Sequence, residues 1–202
     1  MVSCMYPKSI KELIESFTAF PGIGEKTAER MAFSVLDFDN LMIEQLERSL
    51  KETKGKIHPC KICNSLTDEE ICSICQDSMR DKNTLCIVED PKIVFLFEKL
   101  GTYKGKYHVI NGLISPLDDI NPEDIGLVSL LNRIKKEQIE ELILAFKPSV
   151  EGEITSLYIK KTLEGMQIRI TRLASGIPIG ADMEYLDSLT LSRALEDRKE
   201  LS

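Results

Sequence analysis

The sequence lacks any apolar run approaching the roughly 18 residues that a bilayer-spanning helix needs, so no membrane partner is expected. It also lacks the charged start, long apolar middle and small-residue cleavage site of a signal peptide. Its first residues read Met1-Val2-Ser3-Cys4-Met5-Tyr6-Pro7-Lys8, and a cytoplasmic location is the expectation. Positive charge is scarce: 26 Lys and Arg stand against 33 Asp and Glu, for a net charge of −7. Neither residues 1–82 nor the remainder is basic. A protein that coats nucleic acid by general attraction is thereby excluded, and any DNA contact must come from local geometry or from repetition in an oligomer. No G-x-x-x-x-G-K-[ST] occurs, so ATP hydrolysis has no phosphate cradle. Internal repeats and low-complexity tracts are absent as well.

What is present suits a soluble globular chain of 202 residues, 43% hydrophobic and 29% charged, long enough for one or two compact domains. Ser9-Ile10-Lys11-Glu12 fits a capping box, and Ile10, Leu13, Ile14 and Phe17 follow at helical spacing. Pro21-Gly22-Ile23-Gly24 breaks this first helix. A second carries Ala28, Met31, Ala32 and Val35 on one face. A third is expected from Asn40 to about Lys54, with Ile43, Leu46 and Leu50 inward and Gly55 ending it. Residues 57–80 have no convincing period. From residue 84, short apolar runs at Leu85–Val88, His108–Ile110, Leu142–Phe146 and Ile168–Leu173 alternate with helical patterns, notably Ile125–Lys136 and Glu151–Leu163. Strands alternating with helices imply a parallel sheet with right-handed crossovers.

Four of the six cysteines form Cys60-Lys-Ile-Cys63 and Cys72-Ser-Ile-Cys75, separated by eight residues. Two C-x2-C turns each place two thiolates along one edge of a tetrahedron, so a closed structural Zn²⁺ site is expected on Cys60, Cys63, Cys72 and Cys75. His58 lies two residues before the first turn, but four thiolates already complete the site. Cys4 and Cys86 have no partner at metal spacing and read as ordinary residues.

Phe20-Pro21-Gly22-Ile23-Gly24-Glu25-Lys26-Thr27-Ala28 looks like a helix-hairpin-helix motif. Gly22 and Gly24 permit a tight turn and close approach of backbone N–H groups to a phosphate. The following helix adds its positive end. Lys26 and Arg30, four apart on that helix, are placed to neutralise phosphates, whereas Glu25 and Glu29 on the same turns weaken the attraction. Such contacts position a protein on DNA without reading sequence.

In the α/β part, Val88-Glu89-Asp90 closes a strand with acid, and Phe146-Lys147-Pro148-Ser149-Val150-Glu151-Gly152-Glu153 follows later. The pattern resembles the Toprim fold, whose strand-end acids hold Mg²⁺ for phosphoryl transfer. In the catalytic members the second strand ends in Asp-x-Asp; here those positions are Lys147 and Ser149. Glu89, Glu151 and Glu153 lack the other half of a divalent-ion site, so no catalysis is expected. In the tail, Ala174-Ser175-Gly176-Ile177-Pro178-Ile179-Gly180-Ala181-Asp182-Met183-Glu184-Tyr185 runs on to Asp187 and Thr190, and reads as a loop at a sheet edge or subunit contact. Whether it binds nucleotide is left open.

The order of these parts, over residues about 10 to 195, resembles the RecR family of recombination mediators. Arg30-Met31-Ala32-Phe33, Ile114-Ser115-Pro116-Leu117 and the Ile-Pro-Ile-Gly tail add to the likeness. The fold expected is α/β: a helix-hairpin-helix head (1–55), a C4 zinc knuckle (56–80), a degenerate Toprim domain with a parallel sheet (81–174) and a C-terminal oligomerisation segment (175–202). The resemblance implies dimers and tetrameric rings able to surround duplex DNA, working with RecO and RecF to load recombinase onto single strands in DNA repair. It also implies DNA contact by Lys26 and Arg30, zinc on the four cysteines, and partner contact at Glu89, Glu151 and Glu153. The chain departs from the family at Glu25, where many members have proline, at Phe146-Lys147 and at Ala181. Two rival readings stand beside this one, a Toprim nuclease or primase-like phosphoryl transferase and a pure interaction scaffold.

Overall fold

The computed structural model describes residues 6–174 and 176–198; Cys4 and Ser175 lie outside the described residues. The chain divides into two compact units, Met1–Ile57 and His58–Ser202.

The first unit is helical: α1 spans Lys8–Thr18, α2 Glu25–Val35 and α3 Asn40–Lys56. The stripe of Ile10, Leu13, Ile14 and Phe17 meets the small face of Ala28 and Ala32, and Ile14 and both alanines are buried. Alanine at those two positions lets α1 and α2 approach closely. The helix start differs from the sequence reading. Pro7 occupies the cap without a side-chain hydrogen bond, so Ser9 sits inside the first turn and forms no capping box. Proline at this point has no N–H to satisfy and a fixed φ suited to helix entry, and it sets the boundary two residues early. The third helix starts at Asn40 as expected, capped by Asp39, which accepts from Met42 N at 2.7 Å. Its end differs, because it runs through Gly55 to Lys56. Of its expected inward residues only Ile43 is half-buried, while Leu46 and Leu50 are 41% and 57% exposed.

The second unit opens with two short antiparallel strands, β1 (His58–Pro59) and β2 (Leu66–Thr67), and a four-residue helix, α4 (Ser73–Gln76). A four-stranded sheet follows: β3 (Thr84–Val88), β4 (Lys106–Val109), β5 (Glu141–Ala145) and β6 (Arg169–Arg172), in the order β4-β3-β5-β6. All three pairings are parallel, as the alternation of strands and helices requires. Because successive side chains point to opposite faces, the sheet carries two cores. Leu85, Ile87, Ile110, Leu142 and Leu144 pack with Leu130 and Ile134 of α6 (Leu127–Lys136) and Ile159 of α7 (Val150–Thr162). Cys86, Val88, Tyr107, Val109 and Ala145 pack with Val94 of α5 (Pro91–Leu100). Burial on both faces explains why β3 reads as a continuous apolar run. A last helix, α8 (Ser188–Glu196), is capped by Asp187, which accepts from Thr190 N at 2.8 Å and from Thr190 Oγ1 at 2.7 Å.

A buried histidine is among the titratable groups in this packing. His108 of β4 is 1% exposed, with Arg133 Nη1 3.5 Å from its Nδ1 and Ser129 Oγ 3.3 Å from its Nε2. Burial, then the Arg133 guanidinium, push its pKa down to about 3. The unfolded chain takes up this proton near the ordinary 6.5 and the folded chain does not, so the unfolded state binds more protons between those values. The contribution is therefore fully present above about pH 6.5 and is lost as pH falls toward 3, at up to about 1.4 kcal/mol per pH unit. Urea unfolding at pH 7 and pH 5 is expected to show a drop in wild type that is smaller in His108→Gln. Equal drops in the two proteins would rule His108 out as the source.

Candidate functional site

The knuckle is built by two tight turns that fold their cysteines toward one point. In the first, Asn64 N donates to Cys60 O at 3.0 Å and Cys60 N to Ser65 O at 2.7 Å. Asn64 takes the left-handed conformation this turn needs, at φ 59°, one that asparagine tolerates better than most residues. In the second, Cys75 N and Gln76 N both donate to Cys72 O. All four cysteines are buried, and their sulfur atoms lie within 4.8 Å of one another. Cys63 and Cys72 Sγ are 3.6 Å apart. A tetrahedron with metal–sulfur bonds of about 2.3 Å has edges of about 3.8 Å, so the donor set fits a Zn²⁺-sized ion. The Cys60 sulfur accepts from Ile62 N at 3.5 Å and Cys72 N at 3.3 Å, which supports negative charge there. Hydrogen bonding with Cys63 draws the Cys72 thiol far below its ordinary range, and the same contact drives Cys63 up. His58 is exposed, with its ring nitrogen 3.2 Å from Pro59 O, and stands outside the set. Cys86 is buried alone in β3, its thiol pushed up to about 12 by burial.

The hairpin between α1 and α2 is closed by Phe20 N to Phe17 O and Ile23 N to Phe20 O, both 3.1 Å. Gly22 has φ 82°, a conformation that strains any side chain. A side chain built at Gly22 or Gly24 would meet nothing within 4 Å, so these backbones face open space. Gly24 caps α2 and offers no side-chain oxygen. Thr27 N already donates to Gly24 O at 3.0 Å, and the N–H groups of Glu25 and Lys26, with no side-chain cap, are left for an external acceptor. Lys26 and Arg30 are exposed and form no ion pair among the described residues, unlike Lys8 and Lys11 of α1, which pair with Glu12 and Glu15. Glu29 is turned to Tyr6, whose hydroxyl donates to it at 3.5 Å. Glu25 remains exposed in the first turn.

The Toprim-like acids are placed differently from one another. Glu89 follows β3 and accepts from Lys147 N at 3.2 Å. Glu89, Asp90, Asp118 and Glu151 line one cavity of about 410 Å³ with Lys147. Glu153 lines another with Arg172 and Arg193, and Arg172 pairs with it at 3.2 Å. Lys147 borders both. Hydrogen bonding with Ser149, helped by Lys147, holds Glu151 below the usual carboxylate range. Ser149 caps α7, accepting from Gly152 N at 3.2 Å, so its hydroxyl is engaged at the helix start. Gly152 is required by packing: a Cβ there would lie 2.3 Å from Lys147 O. Sequence reasoning missed Asp118 as a cavity residue. It also named no helix over Pro91–Leu100, which Asp90 caps by accepting from Lys92 N at 2.7 Å. The signal for that cap was present, since Asp-Pro opens many helices.

Comparison with known proteins gives the same order of parts. Residues 10–54 match the family model described as RecR, helix-hairpin-helix, residues 57–77 the RecR Cys4-zinc finger domain, residues 83–174 a Toprim domain, and residues 176–199 the RecR C-terminal part. A protein of Natranaerobius thermophilus named Recombination protein RecR is 46% identical over 97% of this chain and 98% of its own. Proteins of the same name from Staphylococcus saprophyticus and Staphylococcus haemolyticus are 47% and 45% identical, each over 97% of this chain and 99% of its own. With its head, its cysteine knuckle, its parallel sheet and its tail all matched in sequence, this chain belongs to the RecR family.

Proposed function

We propose that the chain is a recombination mediator in DNA repair. It holds DNA without reading sequence, assembles from dimers into a tetrameric ring, and works with RecO and RecF to load recombinase onto single-strand gaps. The observation that carries this reading is the hairpin, with glycine backbones open to solvent and Lys26 and Arg30 without carboxylate partners among the described residues, beside a helix start that has no side-chain cap. Zn²⁺ on Cys60, Cys63, Cys72 and Cys75 is structural, because four protein thiolates leave no open position for water. The face bearing Glu89, Glu151 and Glu153 serves partner contact. Native mass spectrometry with and without duplex DNA tests the assembly: a fourfold species that gains DNA supports the ring, and a monomer that binds DNA as tightly contradicts it.

The same reading makes the α/β part catalytically silent. Lys147 places an ammonium beside the cavity, and Glu153 is committed to Arg172. Glu89, Asp90, Asp118 and Glu151 line that cavity, but among the described residues they form no cluster close enough to share a metal ion, which supports this reading. Incubation with Mg²⁺ or Mn²⁺ and labelled DNA is expected to give no nicking, relaxation or primer synthesis. An activity that co-purifies and disappears in Glu89→Ala would instead make the chain a Toprim nuclease or primase-like enzyme.

A further inference from the structure

Exposed sheet edges invite strand addition, and proteins usually cover or charge them. In this sheet β4 is an outer strand, and three backbone groups on its free side, Tyr107 O, Val109 N and Val109 O, are occupied. Tyr107 O accepts from Arg133 Nη1 at 2.7 Å. Val109 N donates to Cys63 O at 2.8 Å, and Val109 O accepts from Asn64 Nδ2 at 3.1 Å. At the other end of the strand, Lys106 Nζ donates to Cys75 O at 3.3 Å. Each cysteine turn therefore holds one end of β4. Ile74, between the second pair of cysteines, packs against both the knuckle cluster and the sheet core.

We propose that the knuckle is a metal-set latch on this edge. One ion joins the two turns, so that both grip β4 together, and Asn64 carries the state of the metal site to Val109. The closed latch confines strand addition to the opposite, β6 side of the sheet. When the ion leaves, the turns separate and the Val109 backbone opens while β3 and β5 stay folded on their own cores. The inference rests on the metal reading above, but the Asn64 contact tests it separately.

Residue-resolved hydrogen exchange on the full chain decides the matter, with zinc content measured on the same samples. Chelation is expected to raise exchange at Val109 by about tenfold or more, with Leu85–Val88 and Leu142–Ala145 changed far less, the mark of local opening. Asn64→Asp keeps a residue that tolerates positive φ but cannot donate to Val109 O. It is expected to raise Val109 exchange with zinc still bound, and Asn64→Gly, which also permits the turn, to do the same. Unchanged Val109 exchange in both variants would overturn the latch. So would an even rise across β3, β4 and β5 on chelation, because the ion would then support the whole unit. A purified chain without zinc would count against the metal reading, while the Asn64 variants would still decide the docking.

Discussion

Cys63→Ser or Cys72→Ser is expected to cost the chain its metal and the folding of residues 57–77, with a large loss of thermal stability. The knuckle has almost no apolar core of its own: its buried cluster consists of the four cysteines, with Ile62, Ile71 and Ile74 only partly buried around them. Two-residue strands and a four-residue helix cannot by themselves offset the entropy of ordering this segment. The ion is expected to supply much of the difference beside the contacts to β4, since structural zinc in zinc-finger peptides contributes roughly 10–16 kcal/mol at neutral pH. Serine at one corner leaves three thiolates and an oxygen that binds zinc weakly. Elemental analysis should find one zinc per wild-type chain and little in either variant, and calorimetry should show a lower or additional transition. Cys86→Ser is the control. That thiol is buried in β3 away from the cluster, so its replacement should cost about 1–3 kcal/mol and leave the zinc in place. Wild-type protein that holds no zinc and is indifferent to a strong chelator would remove this account.

The same contrast between local and distant causes explains how far the sequence could be read. The strands of the sheet were legible because both faces are buried, which leaves uninterrupted runs such as Leu85–Val88, while the edge strand β6 was found from its apolar residues despite Arg169 and Arg172. The metal set was legible because C-x2-C spacing is itself a geometry. Periodicity finds an apolar face but does not say what covers it, and this is why Leu46 and Leu50 of α3 were placed inward and lie exposed. A capping box is a local pattern, and Pro7 overrode it. The α5 helix has a cap, a proline at its start and a left-handed Gly101 at its end, three local signals from which Pro91–Leu100 could have been read as a helix. The contact from Asn64 to Val109 joins residues 45 apart in sequence, with no periodic signal to announce it.

Lys26→Ala combined with Arg30→Ala is expected to abolish DNA binding while leaving fold and zinc intact. Both side chains are exposed on α2 and make no ion pair among the described residues, so their loss should change stability by no more than about 0.5 kcal/mol. Their effect on binding follows from counterion release. A single chain neutralising two phosphates has a slope of log affinity against log salt near −2, whereas a ring of four presenting eight cations approaches −7. Repetition matters because the chain carries a net charge of −7, which opposes association everywhere except at the hairpin. Glu25 stays beside the contact and weakens each copy, but Glu29 is directed at Tyr6 and opposes the cations less than its place in the sequence suggests. A ring converts four weak contacts into one event at high effective concentration. Anisotropy titrations from about 50 to 200 mM salt, with light scattering on the same samples, should give a steep slope for the assembled form, near-zero binding for the double variant and no sequence preference. Glu25→Gln should tighten binding severalfold without altering the steepness by more than a fraction. A double variant that binds as wild type does, or a slope no steeper than −2 for the ring, would move the DNA contact away from this hairpin.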